Sequence, residues 1–123
     1  MDSYKQLKAW SVGLELLKEV YKISKLFPQQ EQFGMTFQIR KAAASILANI
    51  AEGYGRYTYP DKANKYIIAR GECAEVEAFL EMSIAVGLVP KIRCKSALEL
   101  VSEEKKIISG LIKACRKHEV QQT

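Results

Sequence analysis

The 123-residue chain carries few side chains able to make or break bonds: one histidine and three cysteines. Catalysis needs a nucleophile, an acid–base group or a metal held in place by partners. His118 falls in the last six residues, at an expected frayed end. Cys73, Cys94 and Cys115 are odd in number and widely spaced. Cys94 and Cys115 stand 21 residues apart, about six helical turns, so they could share a helix face but not a metal. They read as core or interface thiols of a chain kept in the reducing cytoplasm. Glu52, Glu72, Glu75 and Glu77 cluster mid-chain, yet the Glu-x-x-His pairs of di-metal bundles are missing. Gly53-Tyr54-Gly55-Arg56 follows a helical stretch rather than a strand and fits neither a phosphate loop nor a dinucleotide fingerprint. The expectation is a non-enzymatic chain without catalytic residues, metal or cofactor.

Binding chemistry is better represented. Tyr54, Arg56, Tyr57, Tyr59, Lys62 and Lys65 lie together at a helix junction. Aromatic faces stack bases and basic groups meet phosphates, so this is the candidate nucleic-acid site. The alternative is that the tyrosines cap a bundle end and the charges are solvated. A second constellation is a polar row, Gln38, Ser45, Asn49, Glu52 and Arg56, continued on the next helix by Arg70, Glu75 and Glu77. It is expected either as a buried network that fixes helix register or as a small-molecule or metal site. The net charge of +5 is unevenly placed. Residues 36–71 carry six basic against two acidic groups, residues 72–90 four Glu and no base, and residues 91–123 eight basic against four acidic groups. Such blocks suit antiparallel pairing and leave basic surface for an anionic partner.

The elements that must position these groups are helical. Only seven Gly and three Pro interrupt the chain, and apolar residues recur at steps of three and four. The spacing predicts helices at about 3–26, 35–55, 60–86 and 90–117, within a single domain spanning 1–123. The short connections make this an all-α, antiparallel up-down-up-down four-helix bundle. Helix one has two apolar rows, Leu7, Trp10, Leu14, Leu17 and Tyr21 beside Ala9, Val12, Leu16, Val20, Ile23 and Phe27. That is wider than one neighbouring helix covers, and Leu16 and Val20 are the candidate contacts to a second copy. Helix two is apolar almost all round and is expected at the buried centre. On helix three, Ile67, Gly71, Ala74, Ala78 and Ala85 form a small-residue face expected to let a neighbouring backbone come close. No apolar run reaches the ~20 residues of a membrane span, and no secretory leader is visible.

Several stretches carry a family likeness. They are Leu7-Lys8-Ala9-Trp10, Phe27-Pro28, Phe33-Gly34-Met35-Thr36-Phe37-Gln38-Ile39-Arg40, and Ser45-Ile46 with Asn49-Ile50-Ala51-Glu52-Gly53 and Arg56, then Ala69-Arg70-Gly71 with Glu75 and Glu77. With these the chain resembles the four-helix-bundle proteins encoded in intervening sequences of bacterial 23S ribosomal RNA genes. It departs from the pattern at Leu47, where proline is common, and at Glu72, where a small hydroxyl residue is expected. The resemblance covers roughly the first three helices and implies a non-enzymatic ring, a homopentamer. A fold relative, the accessory protein of diversity-generating retroelements, binds nucleic acid and partners a reverse transcriptase. Three functions therefore stand as expectations: a homo-oligomeric RNA- or DNA-binding bundle, a scaffold for a protein partner, or a ligand site in the polar row.

Overall fold

The computed structural model describes residues 3–122, with side chains from Ser3 to His118. Its four α-helices are α1 (Lys8–Ser24), α2 (Met35–Gly55), α3 (Tyr59–Ala85) and α4 (Lys91–Gln122). Helix α1 packs between α2 and α4, and α3 closes the ring of contacts between the same two. This is the expected antiparallel bundle, and there is no strand among the described residues.

The local signals explain most of the boundaries. The chain does not enter helix one at Ser3. The Ser3 hydroxyl accepts from the Lys5 amide, Tyr4–Gln6 makes a 3-10 turn, and extended Leu7 precedes α1. At the start of α2 the Glu31 carboxylate accepts the Met35 amide at 3.1 Å. Thr58 caps α3 through the Asp61 amide, with Pro60 in the first turn, where a missing N–H removes nothing from the helix. Gly87, at φ +80°, ends the same helix. The Leu88 amide reaches back to the Ser83 carbonyl at 2.9 Å and the Gly87 amide to Ile84 at 3.1 Å, satisfying two carbonyls the helix leaves open. Helix α4 continues to Gln122, past the expected end at 117. Of the expected frayed tail, Thr123 and the side chains after His118 lie outside the described residues.

The core runs the length of the bundle: Leu16, Val20 and Ile23 of α1 meet Ile39, Ile46 and Ile50 of α2, Val76 and Leu80 of α3, and Val101, Ile108 and Ile112 of α4. Three expectations about faces need correction. Leu16 and Val20 are fully buried within the single chain, so they are core residues and not contacts to a second copy. The surplus apolar row of α1 is the other one, in which Trp10, Leu14 and Leu17 are half-buried and Tyr21 is exposed. Helix α2 is not buried all round, because Phe37, Ala44 and Ala48 face outward. The small-residue face of α3 also faces outward: Ile67, Gly71, Ala74, Ala78 and Ala85 are all exposed, and a Cβ on Gly71 would meet nothing within 4 Å. The close helix approach is made elsewhere, by Gly53, where a Cβ would sit 2.6 Å from the Tyr66 ring.

Candidate nucleic-acid interface

The junction of α2 and α3 brings the six predicted basic and aromatic residues to one end of the bundle, but most are engaged by their own chain. Glu52 holds two of the cations, Lys65 at 2.9 Å and Arg56 at 3.9 Å. The hydrogen bond and charge of Lys65, aided by Arg56, hold the Glu52 carboxyl below the ordinary carboxylate range. The Lys62 ammonium donates to the Tyr54 carbonyl at 2.6 Å and sits 5.6 Å from the centre of that ring. Tyr59 is half-buried, and His118 stacks on it with ring centres 4.9 Å apart. Tyr57 alone of these rings is fully offered to solvent, at 97% exposed. An incoming strand would find one open ring here, two cations it must share with Glu52, and a third held by the Tyr54 carbonyl.

The polar row does not form a buried network. Gln38, Glu52, Arg56 and Glu75 are exposed, and Ser45, Asn49, Arg70 and Glu77 are half-buried. A row at helical spacing fixes a face, not its depth, and this face lies along the rim of the α2–α3 groove. The row divides into local pairs. The Asn49 amide donates to the Ser45 carbonyl at 2.8 Å. Arg70 and Glu77 turn the other way, toward α4, where Arg70 donates to the Ser109 hydroxyl at 3.3 Å and Lys105 pairs with Glu77 at 3.3 Å. Gln38, Ser45 and Glu75 line a cleft of about 150 Å³ with Lys41 and Glu72. Partial burial, and then the hydrogen bond and charge of Glu75, push the Glu72 carboxyl upward. Among the described residues no three His, Cys, Asp or Glu side chains converge as a metal site would require.

Sequence reasoning missed Glu104. It lies in a charged run, Glu103-Glu104-Lys105-Lys106, that reads as solvated surface. The structure buries it completely, with neither carboxyl oxygen hydrogen-bonded. Burial, and secondarily the charge of Glu103, push its carboxyl up to about 8. The signal was in the register: Cys94, Ala97, Val101, Glu104, Ile108, Ile112 and Cys115 step by three and four, so Glu104 occupies a core position of α4. Gly13 of α1 makes room for it, since a Cβ there would lie 2.5 Å from the Glu104 Oε2 and 2.7 Å from the Leu47 Cδ2. Leu47 thus fills space that a bare Gly13 leaves open. Cys73 shares this layer, and burial together with the Glu104 charge pushes its thiol up to about 12.

Comparison with known proteins places these features in context. A model of the 23S rRNA-intervening sequence protein family matches residues 5–110. No curated protein matches the chain. Among solved structures it is similar to a protein of unknown function from the S23 ribosomal protein family of Bacteroides thetaiotaomicron, at 28% identity and a TM-score of 0.78. That similarity covers 85% of this chain and 98% of the other.

Proposed function

The chain belongs to the 23S rRNA-intervening sequence protein family, and on that premise we propose that it is a self-assembling, non-enzymatic bundle that presents basic surface to RNA or DNA. The observation that carries the assembly is the outward face of α3. Ile67, Gly71, Ala74, Ala78, Met82 and Ala85 are exposed at steps of three and four, a stripe about 27 Å long at ~1.5 Å per residue. Val86 extends it at 70% exposed. Small and apolar side chains in one continuous row on a helix surface suit a close contact with another protein surface. Exposed Glu75 and Glu81 lie along this helix, whereas the exposed start of α4 offers Ile92 between Lys91, Arg93 and Lys95. Opposite charges on two different faces favour a head-to-tail contact between copies. Repetition of such a contact closes a ring when the rotation permits, which accommodates the homopentamer that the family resemblance implies.

The nucleic-acid part rests on the net charge of +5 and the basic stretches on both sides of the acidic block. Three free, buried cysteines suit a reducing compartment, so the cytoplasm is the proposed location. No helix among the described residues is long and apolar enough to cross a membrane. The α3 stripe would equally receive a different protein, which makes a scaffold for a protein partner the second reading.

Two measurements test the proposal. Ala78→Asp places a charge in the middle of the stripe without touching the core, and should lower the particle mass in light scattering while circular dichroism stays helical. An unchanged mass would remove the stripe from the assembly. Binding of structured RNA or duplex DNA should strengthen as salt falls, and absence of binding at low salt would remove the nucleic-acid part. Capture of a defined protein partner that resists nuclease, with no binding to nucleic acid, would favour the scaffold.

A further inference from the structure

At the end of the bundle away from the α2–α3 junction, Tyr21 of α1 and Phe37 of α2 flank a cleft of about 420 Å³, inside the ~300–1,000 Å³ range of small-ligand clefts. Arg40 and Lys41 supply its cations, and Gln32 and Thr36 its polar hydrogen-bonding groups. The aromatic surface is open: Tyr21 is 42% and Phe37 50% exposed. Arg40 is half-buried, with its guanidinium 4.4 Å from the centre of the Tyr21 ring. Its Nε donates to the buried Ser24 hydroxyl at 2.8 Å, which fixes the plane of the group. Both terminal amino groups of that guanidinium have no hydrogen-bond partner among the described residues. Neither Arg40 nor Lys41 forms an ion pair among the described residues, whereas Arg56, Lys65 and Lys105 all do. Lys41 sits 5.8 Å from the centre of the Phe37 ring and faces Glu72 across the neighbouring groove at longer range.

A half-buried guanidinium, oriented by a buried hydroxyl and lacking a carboxylate, is built to accept an anion with two oxygens in its plane. An exposed aromatic ring beside it is a stacking platform for a flat ring. A nucleotide joins these two features, a flat ring and an anionic group. We propose that the α1–α2 cleft binds one nucleotide unit of a single strand, with the base on Phe37 and the phosphate on Arg40 and Lys41. The inference rests on the nucleic-acid part of the reading above, and moves its principal contact from the junction to the opposite end of the chain. Two of the junction cations, Lys65 and Arg56, are shared with Glu52; neither cation of the cleft forms an ion pair among the described residues.

The test uses the full chain and a fluorescein-labelled oligothymidine of about ten nucleotides, a length within the site sizes of single-strand binders, with anisotropy read across a salt series. Phe37→Ala should weaken binding about fivefold or more, the low end of the loss for one stacked base. Lys41→Gln should reduce the salt slope by about 0.7, the value for one phosphate contact on a single strand. Lys113→Gln, an exposed charge removed from α4, serves as the control and should leave the tight contact intact. All three positions are exposed, and circular dichroism checks the fold. If Phe37→Ala and Lys41→Gln leave affinity and slope unchanged while Tyr57→Ala weakens binding, the inference fails and the nucleic-acid reading survives at the junction. If the unmodified chain binds structured RNA or duplex DNA but not this oligonucleotide at low salt, the inference alone fails; if it binds none of them, both fail. If Phe37→Ala changes the particle mass in light scattering and not the affinity, the cleft is a contact between copies and the inference is overturned.

Discussion

Glu104 sets the clearest stability experiment. Its carboxyl is fully buried without a hydrogen-bond partner and is pushed up to about 8 from 4.5. In the unfolded chain the group loses its proton near the lower value, whereas in the bundle it keeps it. Between those values the native state therefore binds more protons, and stability falls as pH rises through the window. Stability from this group is fully present below about 4.5 and is lost as pH climbs toward 8. At ~1.36 kcal/mol per pH unit the full excursion is on the order of 5 kcal/mol, with roughly 3 kcal/mol of it incurred by neutral pH. That is a large part of the ~5–15 kcal/mol that holds a domain together. Glu104→Gln keeps the shape and abolishes the titration. Urea denaturation of both proteins across the window should give curves that nearly meet at its acidic end. They should diverge by roughly 3 kcal/mol near neutrality, with the variant more stable. Comparing the two proteins cancels Glu72, which shifts in the same direction, and Glu52, which shifts in the opposite one. Parallel curves would refute the reasoning, since they would mean that Glu104 is hydrated in solution, as would curves that diverge with the variant less stable, since they would mean that it is paired.

Other outcomes follow from the same contacts. Gly13→Ala should destabilise the bundle by ~1–3 kcal/mol in denaturant melts, because its Cβ would collide with Glu104 and Leu47. The double change Gly13→Ala with Glu104→Ala should recover part of that loss. Gly87→Ala should lower stability by roughly 1 kcal/mol, the penalty for a side chain at positive φ, without altering assembly. Cys73, Cys94 and Cys115 are buried with thiols pushed up chiefly by burial, so a thiol reagent should label none of them at neutral pH until denaturant is added.

The helices were legible because periodicity, Pro60 and Gly87 are local signals. Depth was less so. Helix α1 offers two apolar rows, and spacing cannot choose which one turns inward; the choice fell on Leu16 and Val20, which meet the cores of the other helices. Alanine and glycine on α3 suit a tight helix contact and an open surface alike, so their outward position emerges only once the larger Tyr66, Val76 and Leu80 claim the inside. The polar row was visible, yet its members turn to different partners, Lys65 for Glu52 and α4 for Arg70 and Glu77. For the candidate sites, proximity in the chain identified the junction but not that Glu52 occupies two of its cations. The Tyr21–Arg40 pairing joins residues 19 apart, and only the packing of α1 on α2 brings them together. Glu104 was readable from its register with Val101 and Ile108, although its charged neighbours disguise it.

The central claim is that this bundle meets copies of itself, and the molar mass in solution tests it most directly. Light scattering on the purified chain should report a particle several times the 13.9 kDa subunit, five times if the proposed ring is a pentamer. A stable particle of 13.9 kDa, unchanged as concentration rises, would contradict it.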